Sequence, residues 1–139
     1  MSLPSQQVTV LRSDAEALSV ARELAAVLKR DSALRDRERR LPHDELELFS
    51  RTGLWGISVP TAFGGAGVSN TTLANVIAVI AAADSSLGQI PQNHFYALEV
   101  LRVNGSPQQK QRLYEEARTS SYIRCFCCGL PFTLSTSRA

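Results

Sequence analysis

Aromatic side chains are scarce in this chain, at 6% of 139 residues, and none interleaves with the densest basic stretch, Arg35 to Arg40. A base-stacking platform would need that interleaving. Charge of one sign is lacking as well: a net +2 is too small to point to a nucleic acid or a membrane surface. Acids interrupt the basic stretch ("RDRERR"), so it reads as a solvated helix face or loop. Long apolar runs are absent. The longest, residues 76–83, falls far short of the ~20 residues that cross a bilayer. The opening "MSLPSQQVTV" has no positive segment followed by an apolar one, so no targeting segment is visible and a cytoplasmic protein is expected.

Cysteine is confined to the tail, as Cys125, Cys127 and Cys128. A CxCC cluster with no second ligand pair lacks zinc-site spacing, and His43 and His94 are distant in sequence, so no metal is expected. Nucleophilic catalysis needs a base beside the nucleophile, and no Ser/His/Asp or Cys/His arrangement supplies one; only Arg124 accompanies the tail cysteines. Gly64, Gly65 and Gly67 invite comparison with a phosphate cradle. There is, however, no GxGxxG, no Walker lysine and no strand–glycine–helix unit. A tight connecting loop with positive φ angles is the simpler reading.

What is present is helical. The hydrophobic fraction of 44% is ordinary for one soluble domain, and alanine and leucine favour helices. Residues 1–12, with Pro4, read as a loose arm. Ser13-Asp14-Ala15-Glu16 is a capping box, followed by a stripe of Ala17, Leu18, Ala21, Leu24, Ala25 and Leu28. That helix is expected to reach about residue 31, and polar residues 31–41 to connect it to the next. A second helix follows Pro42, turns Leu46 and Phe49 inward and stops at Gly53. Trp55, Ile57 and Val59 then suggest a short extended piece, and Pro60 with the glycines an irregular loop.

A third helix, about residues 71–83, is apolar nearly all round and is expected to be the buried centre of the bundle. Asp84-Ser85-Ser86 breaks it and caps a fourth, about residues 86–103, which Pro91 should kink or restart and Gly105 stop. Ser106-Pro107-Gln108-Gln109 is a second capping box and opens a fifth helix to about residue 117, with Leu113 inward. The fold class is all-α, an up-and-down bundle of about five helices over residues 13–117. After Arg118 helical patterning stops. Residues 118–139 are atypical, and a frameshift or truncation near residues 117–119 is the expectation that follows.

Three segments carry a family resemblance in order and spacing: "GLWGISVPTAFGGAGVS", "IAAADSSLGQIPQNHF" and "GSPQQKQRLYEE". Together they cover about residues 10–117 and resemble the N-terminal domain of the acyl-CoA dehydrogenase superfamily. "AAADSSLG" and "NHF" look most like its sulfur-acquisition branch, the dibenzothiophene monooxygenase-like flavin oxidoreductases, which use reduced flavin and oxygen.

The resemblance implies a larger fold in which a middle β-domain and a C-terminal four-helix bundle hold FAD or FMN and the helical domain closes one wall. It also implies a small-molecule substrate, either a sulfur compound or an acyl-CoA, and it leaves a homo-oligomer open. The catalytic base of thioester-oxidising members would lie in that bundle, so this chain is expected to be inactive alone and to bind no flavin stably.

The same resemblance places Gln89, Gln92, Asn93 and Tyr96 on the pocket wall. Gln89 and Asn93 stand where the dibenzothiophene enzymes have histidine and tyrosine. Amides can donate hydrogen bonds there but cannot act as acid or base near neutral pH. His94 matches a histidine of the monooxygenase branch and is the one candidate for a chemical role, although its place on the apolar stripe favours a structural one. The alternatives are an acyl-CoA dehydrogenase proper and a non-catalytic helical interaction module. Open exposure of the four wall residues would mean that no pocket closes within this chain.

Overall fold

The structure is a computed structural model that describes residues 8–119. The cysteine-bearing tail, residues 120–139, lies outside the described residues, and residues 117–119, where a break in reading frame is expected, are the last residues described. Among the described residues the fold is all-α, with seven helices: α1 (Asp14–Leu28), α2 (Ser32–Glu38), α3 (His43–Arg51), α4 (Asn70–Ala83), α5 (Ser85–Gln89), α6 (Gln92–Asn104) and α7 (Pro107–Thr119). Two 3-10 turns, Leu54–Gly56 and Thr61–Phe63, join α3 to α4.

α1 starts where its capping chemistry says. The Ser13 hydroxyl accepts from the Glu16 N–H at 3.2 Å, and the Glu16 carboxylate accepts from the Arg12 N–H at 2.7 Å. Ala17, Ala21, Leu24, Ala25 and Leu28 form its buried stripe, and α4 is its main partner. The N-termini of the two helices are tied together. Ser69 caps α4 by accepting from the Thr72 N–H at 3.2 Å, while the Asp14 carboxylate accepts from the Thr72 hydroxyl at 2.6 Å and the Ser69 hydroxyl at 3.1 Å. The Thr72 hydroxyl, aided by Ser69, holds the Asp14 carboxyl below its ordinary pKa.

α4 is not enclosed on all sides. Thr72, Val76 and Ile80 are buried, Leu73, Ile77 and Val79 are half-buried, and Ala74, Ala78, Ala81 and Ala82 are exposed. Small alanines keep the helix apolar without needing burial, so hydropathy overstates its enclosure.

The segment expected to connect α1 and α3 is itself a helix, α2. It ends at Arg39 in the left-handed region (φ 53°) without a glycine. Its support comes from outside its own sequence. Arg35 is buried at 4% exposure, donates to Glu45 at 2.6 Å and pairs with Asp84. The basic stretch is therefore not wholly solvated: one arginine locks α2 to α3 and to the start of α5. Asp84 serves twice, its other oxygen accepting from the N–H groups of Ser86 (3.0 Å) and Leu87 (3.2 Å) as the N-cap of α5.

Trp55, Ile57 and Val59 are not extended. All three are buried, and the chain around them winds through tight turns. Trp55 packs on Phe49 (ring centroids 4.4 Å apart) and donates from Nε1 to the Ser50 hydroxyl at 3.0 Å. Gly53, at φ 80°, lies under the Thr9 carbonyl, where a methyl group would collide. The Thr9 N–H donates to the Arg51 carbonyl at 3.3 Å and Leu11 is buried, so the arm is docked from Thr9 onward and not loose.

The expected fourth helix is two. Pro91, with no N–H to give, ends the run from α5, and α6 restarts behind it. Gly105 stops α6. The second capping box forms as read: Gln109 N–H to Ser106 Oγ at 3.2 Å, and Ser106 N–H to Gln109 Oε1 at 2.8 Å. On α7 it is Tyr114, 1% exposed, that seats in the core against Phe63, with Leu113 half-buried beside it.

Candidate functional site

A cleft of about 570 Å³ opens between the glycine loop and α6. Ser58, Pro60, Thr61, Gly67 and Val68 form the loop wall, with Asn70 and Leu73 at the start of α4. Phe95, Tyr96, Leu98, Glu99 and Arg102 form the α6 wall. Val68, Leu73, Phe95 and Leu98 give the lining its apolar side chains, and Ser58, Thr61 and Tyr96 contribute hydroxyls, Asn70 an amide, and Glu99 with Arg102 an ion pair. Arg102 donates to Glu99 through Nε at 2.8 Å and through a terminal nitrogen at 2.6 Å. That pairing lowers the pKa of Glu99 and raises that of Arg102. Of the polar lining residues, sequence reasoning named only Tyr96. Ser58, Thr61, Asn70, Glu99 and Arg102 lie on elements whose mutual approach no local pattern reveals.

The four residues expected on the pocket wall do not share one face. Gln89 ends α5, while Gln92, Asn93 and Tyr96 open α6. The break at Pro91 voids the four-residue spacing that would have stacked Gln89 on Asn93. Instead the Gln89 amide N–H donates to Gln92 Oε1 at 2.5 Å. Gln89, Gln92 and Asn93 are exposed, as is Tyr96, and only Tyr96 borders the cleft.

His94 lies on the opposite side of α6, inside the core at 4% exposure. Its Nε2 is 2.8 Å from the Trp55 carbonyl oxygen. A carbonyl only accepts, so Nε2 carries the hydrogen and donates. Burial pushes the pKa of the ring down, against a smaller upward pull from that carbonyl, so His94 is uncharged at neutral pH.

The glycine loop does not cradle a phosphate. Gly64 (φ 80°) and Gly67 (φ 58°) adopt positive φ, as a tight connecting loop requires. A side chain at Gly65 would strike the Val59 backbone, and Gly64 faces the Arg118 guanidinium. The loop is folded upon its own chain. Arg102, the cation on the cleft rim, is committed to Glu99. These residues do not fit a complete flavin; they offer a wall against which part of one could lie. Among the described residues no cluster of His, Cys, Asp and Glu could hold a metal ion, and no helix is long and apolar enough to cross a membrane.

The family pattern described as "Acyl-CoA dehydrogenase, N-terminal domain" matches residues 14–119. The chain belongs to this family. The resemblance carried by the three sequence segments is thereby borne out, including its branch. The acyl-CoA dehydrogenase N-terminal domain seen here is 31% identical over 110 residues to a dibenzothiophene monooxygenase of Rhodococcus erythropolis, covering 79% of this chain and 26% of that protein. It is 32% identical over 107 residues to a probable FMNH2-dependent monooxygenase, SfnC, of Pseudomonas putida, covering 77% of this chain and 27% of the relative. Among solved structures it matches FMN-bound TdsC from Paenibacillus sp. A11-2 with a TM-score of 0.68 and 36% identity, covering 76% of this chain and 26% of that one. TdsC, a dibenzothiophene monooxygenase, has also been solved with FMN and indole. The chain thus spans about a quarter of the length of the relatives it matches.

Proposed function

We propose that this helical domain forms one wall of the substrate pocket of a flavin-dependent monooxygenase that acts on a small sulfur compound. The observation that supports this most is the similarity, over about three quarters of the chain, to monooxygenases, one of them described as FMNH2-dependent and one solved with FMN bound. The geometry is compatible. A half-built cleft bordered by Tyr96, with Gln89, Gln92 and Asn93 exposed on α5 and α6, is the form expected of a pocket wall whose other side is contributed by polypeptide outside the described residues. The part assigned to Gln89, Gln92 and Asn93 is to orient a substrate by hydrogen bonds, since amides neither take nor give protons near neutral pH. Tyr96 offers a ring for stacking and a hydroxyl. When bound, a flavin would supply the redox chemistry, and no step of it is assigned to these side chains. The relatives favour this reading over an acyl-CoA dehydrogenase proper, because those matched are monooxygenases.

Two titrations test it. FMN and FAD added to this chain should show no saturable fluorescence quenching up to millimolar flavin; saturation at micromolar flavin would mean that the domain builds a site by itself. A chimera in which residues 14–119 replace the matching segment of TdsC should bind FMN and indole. A folded chimera that binds no FMN overturns the proposal.

A further inference from the structure

His94 sits in the core behind the cleft, on the helix that forms its α6 wall. Trp55 lies three residues before Ser58, on the segment that becomes the loop wall, and Phe95, next to His94, belongs to the α6 wall. The hydrogen bond from His94 Nε2 to the Trp55 carbonyl, 2.8 Å long, joins the two. With Nε2 protonated, the neutral ring leaves Nδ1 bare, and Nδ1 is buried without a hydrogen-bond partner among the described residues. The ring is held edge-on by Trp55 (5.0 Å, 72°) and Phe95 (5.3 Å, 78°). We propose that His94 is an acid-sensitive positioning residue for the cleft: uncharged, it clasps the loop wall to α6, and on gaining a proton at Nδ1 it lets the loop wall go.

A proton at Nδ1 would create a second N–H donor with no acceptor, and a charge inside an aromatic cage. A buried polar group without a partner costs stability, and an unpaired buried charge costs more. Among the described residues no charged group figures among the causes of the ring's shift. On α3, Glu45 is engaged by Arg35 and Glu47 by Arg51; at the start of α5, Asp84 is engaged by Arg35; on α6, Glu99 is engaged by Arg102. The ring's pKa is set by burial first and by the Trp55 carbonyl second. The direction of that response agrees with the proposal, since a ring held below its ordinary pKa resists charging in place. The loop rather than α6 is the side that yields, because it is held by short turns while α6 carries a continuous helical ladder. The proposal takes the cleft as the functional surface of the reading above. Its readouts need no flavin, so either can fail while the other stands.

Trp55 is the only tryptophan, and His43, which is exposed, is the only other histidine. The full chain with His43→Gln therefore reports on His94 alone. Its tryptophan emission and the amide-exchange protection of residues 56–68 should be followed from about pH 7.5 to about pH 5, which brackets the ordinary histidine range. Emission should shift and loop protection fall severalfold in one transition, while α1 and α4 keep their protection. Adding His94→Gln, whose amide keeps a donor near the reach of Nε2 but cannot ionise, should flatten both curves. Loop protection that is constant down to pH 5, or that falls equally in His94→Gln, overturns the proposal. Should His94→Gln fail to fold, the imidazole proton resonance of His94 decides: the same midpoint as the loop amides supports the clasp, and a different midpoint overturns it.

Discussion

Two arginines in this domain each meet a carboxylate, and the two meetings differ in almost every other respect. Arg35 is buried and bridges Glu45 and Asp84, ten and forty-nine residues away in sequence. Arg102 is exposed and meets Glu99 one turn back on its own helix. The first closes the side of the domain where α2, α3 and α5 converge; the second decorates the rim of the open cleft. The same ion-pair chemistry is structural where water is excluded and incidental where it is not. The closed side carries the architecture, and the open side is left for an occupant.

Breaking the closed side should have the largest effect. Arg35→Met removes the cation and leaves Asp84 and Glu45 facing an apolar side chain. Loss of one member of a buried pair costs about 3–5 kcal/mol, and the midpoint of urea unfolding should fall accordingly. A midpoint equal to that of the parent would mean that water reaches the two carboxylates readily, and that the closed side is not closed. Asp84→Asn should cost less, because an amide oxygen still caps α5 while the charge on Arg35 loses one of its two partners.

How much of this was legible depended on whether the cause was local. Caps, proline restarts and glycine stops are written within four residues, so Ser13, Gly53, Pro91 and the Ser106–Gln109 box could be read directly. α2 could not, because its warrant is Arg35 reaching Asp84 from forty-nine residues away. The turn around Trp55 mimicked alternation, because a chain wound tightly inside a core can bury every second residue as a strand does. At the site Pro91 separates Gln89 on α5 from Asn93 on α6, so the wall expected of them is not one helix face. The cleft itself was hidden, since its walls come from segments some thirty residues apart.

The loop wall offers a sharper cut through the same comparison. At Gly65 a side chain would be driven into the Val59 backbone, which cannot move aside as a flexible side chain could. Gly65→Ala should destabilise by about 1–3 kcal/mol, the usual range for overpacking. Its unfolding should appear first in amide exchange over residues 57–68, with α1 and α4 protected longer. Uniform loss across the domain would show that the open side is as integral as the closed one.

Tyr114 backs that loop through Phe63, yet its buried hydroxyl has no hydrogen-bond partner among the described residues. Tyr114→Phe should therefore stabilise the fold slightly, by about 1 kcal/mol, by removing an unsatisfied polar group. Burial raises the pKa of the phenol above its ordinary value of 10.0. The folded state thus holds its proton longer than the unfolded one. The parent should keep full stability below about pH 10 and lose some as the pH rises through the folded value, whereas Tyr114→Phe should lack that component. A destabilised phenylalanine variant would reveal a partner for the hydroxyl.

The smallest effect belongs to the rim pair. Glu99→Gln and Arg102→Gln, singly or together, should leave the unfolding midpoint where it is, because both side chains are open to solvent and neither bridges elements. What they should change is the cleft. Without Glu99, the Arg102 guanidinium stands unpaired beside Tyr96 on the same wall, and an anionic probe such as a short alkyl sulfonate should bind better to Glu99→Gln than to the parent. Arg102→Gln should show the reverse preference. If stability shifts in either variant while probe binding does not, the rim pair belongs with the Arg35 cluster as architecture, and the division into a closed and an open side fails at the place where it is easiest to test.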